Sequence, residues 1–106
     1  MSTKEAIFVR RSSDGIHKFV AVFPDGHRVR FGREGYSDYT LHKDPERMRR
    51  YLARHRARED WSRSGARTPG FWSRWLLWSK PTLQQARVRT EKIVGQKVVF
   101  ARKLTP

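Results

Sequence analysis

Phe19-Val-Ala-Val-Phe-Pro-Asp-Gly-His-Arg-Val-Arg-Phe31 reads as two strands and the turn that joins them. Phe19 to Phe23 is β-branched and aromatic, Pro24-Asp-Gly26 supplies the reversal, and His27 to Phe31 alternates polar with apolar residues. Strand alternation puts Phe19, Ala21, Phe23, Val29 and Phe31 on one face and turns Arg28 and Arg30 outward. Upstream, Ile7-Phe-Val9 runs into Ser12-Ser-Asp-Gly15, a second turn with its glycine at the end. The expectation is a three-stranded antiparallel meander.

Downstream the period changes. Gly32 to Lys43 reads as an ordered loop around two tyrosines, and Asp44-Pro-Glu46 then starts a helix. Asp44 accepts from a free amide, Pro45 pre-sets the first helical angle, and Glu46 suits the positive end of the dipole. A helix over 45–60 places Met48, Tyr51, Leu52 and His55 on one face, with Arg47, Arg50, Arg54 and Arg58 largely on the others. Residues 62–67 form a linker within the domain. Thr68-Pro69 restarts a short helix in which Phe71, Trp75 and Trp78 share one face and Trp72 and Leu76 a neighbouring one. A third helix over 82–94 turns Leu83, Ala86, Thr90, Ile93 and Val94 inward and stops at Gly95. Val98-Val-Phe100 is a candidate last strand returning to an edge of the meander. The whole is one α+β domain over residues 6–101, a small antiparallel sheet packed by three helices, between a flexible arm (1–5) and a polar tail (102–106).

Composition narrows the function. Apolar residues make up 37% and charged residues 32% of 106, and the net charge is +14. The excess is uneven: +2 over residues 1–40, +3 over 41–60 and +9 over 61–106. Such a field concentrates polyanions: nucleic-acid phosphates, an anionic membrane surface or an acidic protein. Absence of cysteine excludes disulfides, thiolate metal sites and cysteine nucleophiles. The amino terminus lacks a signal-peptide stretch, and Trp75-Leu-Leu-Trp78 is far short of the ~20 apolar residues that span a bilayer. A soluble protein made in the cytosol is expected.

Chemistry is poorly supported. His17, His27, His42 and His55 lack the spacing of a metal cluster. Asp38, His42 and Asp44 lie close together, but a turn explains Asp38 and a helix cap explains Asp44. With no phosphate-binding glycine loop or nucleophile motif, neither an enzyme, a cofactor, a metal nor a small-molecule substrate is expected.

Phe31-Gly32, Gly35-Tyr-Ser-Asp-Tyr-Thr40, His42-Lys-Asp44, Arg54-His55, Trp61, Ser64-Gly65, Gly70-Phe-Trp-Ser-Arg-Trp-Leu-Leu-Trp78 and Lys80-Pro81 carry a resemblance. Over roughly residues 18–95 the chain resembles a family of short proteins without assigned activity, encoded mainly by large double-stranded DNA viruses of algae and protists. The resemblance implies a virus-encoded protein carried in the particle, and it brings no catalytic or ligand residues with it. Heavy use of arginine is where this chain departs from the family pattern.

These readings lead to a non-enzymatic structural protein of a virus particle, a minor capsid or cement component made in the host cytoplasm. Its contact surface is assigned to Arg47, Arg50, Arg54, Arg58, Trp72, Arg74, Trp75 and Trp78, because Trp and Arg dominate binding energy at interfaces. The expected partners are larger capsid proteins with acidic patches, with packaged nucleic acid or the inner membrane surface as further polyanions. The alternative is a nucleic-acid-binding protein that holds phosphates with its arginine-rich helix and basic carboxy-terminal half.

Overall fold

The computed structural model describes residues 5–101. Nearly all of the arm expected over 1–5, and the tail over 102–106, lie outside the described residues. Three strands form the expected meander: β1 (Ile7–Arg11), β2 (His17–Val22) and β3 (Arg28–Arg33), each antiparallel to the next. Phe19, Ala21, Phe23, Val29 and Phe31 are all buried, and Arg28 and Arg30 are exposed, as the alternation requires.

The last strand, β4 (Val98–Phe100), pairs with β1 and completes a four-stranded sheet of order β3-β2-β1-β4. The pairing is parallel, so the sheet is mixed rather than wholly antiparallel. A parallel partner needs a long crossover, and the chain from β3 to β4 supplies one by laying down all its helices on the way. Ile7, Val9 and Val98 join the inner face of the sheet, and Phe71, Trp72, Leu76, Leu77, Ala86 and Val94 close the core above it.

Two helices match the reading of their caps. Helix α2 (Pro45–His55) begins at Asp44, whose carboxylate accepts from the Glu46 and Arg47 amides. It ends at His55, and a three-residue 3-10 turn, 56–58, replaces the continuation expected to residue 60. Helix α4 (Leu83–Val94) is capped by Thr82 and stopped by Gly95 in the left-handed conformation. Its Glu91 carboxylate accepts from the Val98 amide at 2.9 Å and from Arg87 at 2.9 Å, fastening α4 to β4.

The supposed loop 32–43 contains a four-residue helix, α1 (Tyr39–His42), capped by Asp38. Asp38 accepts from the Thr40 amide at 2.9 Å while its other oxygen takes the Lys18 ammonium at 2.5 Å. Both side chains of this ion pair are largely buried, so removing one partner strands a charge.

Helix α3 (Pro69–Trp72) does not continue as an α-helix. Residues 73–77 widen into a π turn, closed by the Trp78 amide donating to the Ser73 carbonyl at 3.0 Å. The buried residues are therefore Phe71 and Trp72, then Leu76 and Leu77, a spacing of five. That rotation corrects the expected face: Phe71 stays in the core while Trp75 and Trp78 swing to its partly exposed margin.

Candidate functional site

Trp72 is removed from the contact surface by this geometry. It is 0% exposed, packs edge-to-face on Phe23, tilted on Phe31, and donates its indole N–H to the Ala66 carbonyl at 2.7 Å. A partner cannot reach it without unfolding the core, so its role as a contact residue is withdrawn.

Trp78 instead holds α2 in place. Its ring lies flat on Tyr51, with centroids 4.1 Å apart and planes 4° from parallel, and Tyr51 in turn stacks on His55 at 4.1 Å. The His55 imidazole bonds the Glu59 carboxylate at 2.8 Å, and the other Glu59 oxygen accepts from the Trp61 indole at 2.8 Å. Gly70 passes directly beneath, where a Cβ would come within 2.7 Å of the Glu59 carboxyl carbon. Burial pushes the Tyr51 hydroxyl up to about 12, with the nearby Glu59 charge acting in the same direction.

The stack forms one wall of a cleft of about 520 Å³ between α2, the end of β3, the segment leading to α1 and the π turn. Arg47 and Arg54 line it from α2, Arg33 from β3 and Lys18 from β2. The one carboxylate in the lining, Asp38, is already bonded to Lys18 and Thr40. Arg33, Arg47 and Arg54 have no carboxylate partner among the described residues. Tyr36, 65% exposed, stands at the rim with the Arg33 guanidinium 5.6 Å from its ring centroid.

Of the α2 arginines assigned to contact, Arg47 and Arg54 therefore converge on the cleft. Arg50 and Arg58 are exposed and do not line it. Arg49 is tied to Glu46 at 2.6 Å.

Arg74 and Trp75 belong to a separate feature. The Arg74 guanidinium carbon lies 4.2 Å from the Trp75 ring centroid and 5.3 Å from that of Trp61, and its terminal nitrogen donates to the Trp78 carbonyl at 2.8 Å. Trp75 carries Arg89 at 5.6 Å as well and donates its indole N–H to the Trp61 carbonyl. The Arg74 Nε is buried without a partner, and burial, reinforced by the Arg89 charge, lowers its affinity for the proton.

The cleft also contains residues that pattern reading passed over: Arg33, Tyr36 and the Lys18–Asp38 pair. Arg33 follows Gly32, whose left-handed backbone breaks the period of two at the end of β3, so strand parity does not lead to it. The Lys18–Asp38 pair joins residues 20 apart in sequence, and no local signal announces it.

Residues 8–55 match the model of a family of unknown function (DUF5754). That similarity runs from β1 through α2, so it includes Lys18, Arg33, Asp38, Arg47, Tyr51 and Arg54 but stops before Trp78 and the π turn. No curated protein and no solved structure matches the chain. Among the described residues no helix is long and apolar enough to cross a membrane.

Proposed function

We propose that the chain is a non-enzymatic nucleic-acid-binding protein whose cleft and α2 helix hold backbone phosphates. The observation that carries this reading is the convergence of Arg33, Arg47 and Arg54 on a cleft whose single carboxylate is already bonded. To guanidinium groups that have no carboxylate partner, a phosphate offers paired acceptors, and it releases counterions on binding. Exposed Arg50, Arg56 and Arg58 extend the positive face along the same helix and its 3-10 turn.

Charge reversal tests it. Arg47→Glu with Arg54→Glu should leave the unfolding free energy from urea denaturation within about 0.5 kcal/mol, because both side chains are exposed. It should weaken binding of a fluorescent 20-mer by about tenfold or more. Equal affinities for the two proteins refute the reading.

A second reading, a minor capsid or cement component, is favoured by the Arg74–Trp75–Arg89 element. It offers a half-buried indole between two cations to an acidic patch on a larger shell protein. The resemblance in residues 35–40 and 70–78 supports the setting for either reading, a virus particle assembled in a host cytoplasm. Salt washing of purified particles separates the two. Retention with the shell at high salt supports the cement role, and release with the genome fraction at moderate salt supports nucleic-acid binding.

A further inference from the structure

The core cluster takes the inner residues of the sheet, and residues of the opposite parity make a different surface, in which Val20 is itself buried. Cross-strand register places Arg28 beside Val22, Val22 beside Phe8, and Phe8 beside Val99; in the next row Arg30 neighbours Val20, which neighbours Arg10. Phe8 is 46% exposed at the centre of the first row, on a residue type that sequence pattern normally buries. Arg10 and Arg28 have no carboxylate partner among the described residues. Arg30 meets only Asp14, at 3.7 Å, and that carboxylate is already bonded to the Ile16 and His17 amides, the Ser12 hydroxyl and the His17 ring.

We infer that this sheet face is a second contact surface, selective for single-stranded nucleic acid. The inference shares with the cleft reading only that the partner is a nucleic acid. An exposed aromatic ring with cations on its own strand and across the sheet offers a stacking platform for one unpaired base, with the guanidiniums of Arg10, Arg28 and Arg30 placed for phosphates on the side of the ring toward β2 and β3. Neighbouring strands lie about 4.8 Å apart, so Arg28 and Phe8, two strands apart, are separated by about 10 Å, and so are Arg30 and Arg10. Duplex bases are already stacked on one another and leave no free face for Phe8. Among the described residues, no helix or ribbon rises from this surface to enter a groove.

The test compares a labelled dT 20-mer with a 20-base-pair duplex, using the full chain with Phe8 intact, Phe8→Ala and Phe8→Leu. Both variants are expected to lose about fivefold or more in affinity for the single strand, with duplex affinity unchanged. Leu keeps the apolar bulk, so a loss shared by Ala and Leu reports the ring rather than the fold. Ultraviolet cross-linking of the unmodified protein to the dT 20-mer should place adducts on the peptide containing Phe8.

Single-strand binding that is indifferent to both substitutions, or cross-links confined to α2, overturns this inference and leaves the cleft reading standing. If the unmodified chain binds neither oligonucleotide at low salt, both fall. Displacement of the single strand from Phe8 by an acidic peptide at equal charge concentration would assign the face to protein instead and overturn the proposal.

Discussion

Replacing Tyr51 should release α2 from the body of the protein. The side chain is 9% exposed, lies between Trp78 and His55 at 4.1 Å on either side, and is the only buried residue of that helix. Tyr51→Ala removes a large buried ring, a cost of about 3–5 kcal/mol, of which the two stacked contacts supply about 1–3. Against a total of about 5–15 kcal/mol for a domain of this size, that is a large share, and the melting temperature should fall by roughly 12–20 °C. Tyr51→Phe keeps both stacks and loses only the hydroxyl, at about 1 kcal/mol.

The assay pairs urea denaturation with amide hydrogen exchange. In Tyr51→Ala the α2 amides should lose protection ahead of the sheet amides, and nucleic-acid binding should weaken because Arg47 and Arg54 lose their fixed position. The same residue has an alkaline signature. Its hydroxyl titrates near 12 in the folded chain against 10.0 ordinarily, so the folded state holds the proton more tightly. The stabilisation is complete below pH 10 and is lost as pH rises from 10 to 12. Tyr51→Phe should remove the latest step of tyrosinate absorbance. A cost below about 1 kcal/mol for Tyr51→Ala, with unchanged exchange in α2, would refute the anchoring role.

The two neighbouring tryptophans should behave differently. Trp72→Ala should cost about 3–5 kcal/mol by urea denaturation, whereas Trp75→Ala, half-buried and held by two cation–π contacts, should cost about 1–2; equal costs would contradict the π-turn geometry. Asp38→Ala leaves the buried Lys18 ammonium without its carboxylate and uncaps α1, and should destabilise by about 3–5 kcal/mol. A loss under 1 kcal/mol would show that water replaces the pair. His42 accepts the Asp44 amide through Nδ1, and burial, with Arg47 adding repulsion, lowers its pKa below 6.5. The unfolded chain therefore binds the proton more readily, so stability should be complete above pH 6.5 and decline as pH falls below it. His42→Gln should flatten that decline; parallel curves for the two proteins would exclude His42 as its source.

The meander was legible because each of its strands obeys a period of two and each turn carries its own glycine. Its inner residues followed directly. Caps at Asp44 and Thr82 and the stop at Gly95 marked two helices for the same reason, as local chemistry at a boundary. The parallel partner of β4 was not legible, because nothing within Val98–Phe100 encodes which way its neighbour runs. The tryptophan run was misread at a specific point: a period of 3.6 groups Phe71 with Trp75 and Trp78, while the π turn groups Phe71 and Trp72 with Leu76 and Leu77. Within the site, Arg47 and Arg54 could be picked out from helical charge. Their convergence with Arg33 depends on the stacking of Tyr51 on Trp78, a contact 27 positions apart in sequence, and no spacing rule reaches that far.

The most direct test of the cleft as a phosphate-binding site is the salt dependence of affinity for a 20-base-pair duplex, measured for the unaltered chain and for a triple Arg33→Ala, Arg47→Ala, Arg54→Ala variant. Each phosphate contact contributes about 0.9 to the slope of log affinity against log salt concentration, so the variant's slope should be shallower by about 3 if all three arginines engage phosphates. Identical slopes for the two proteins would contradict the account.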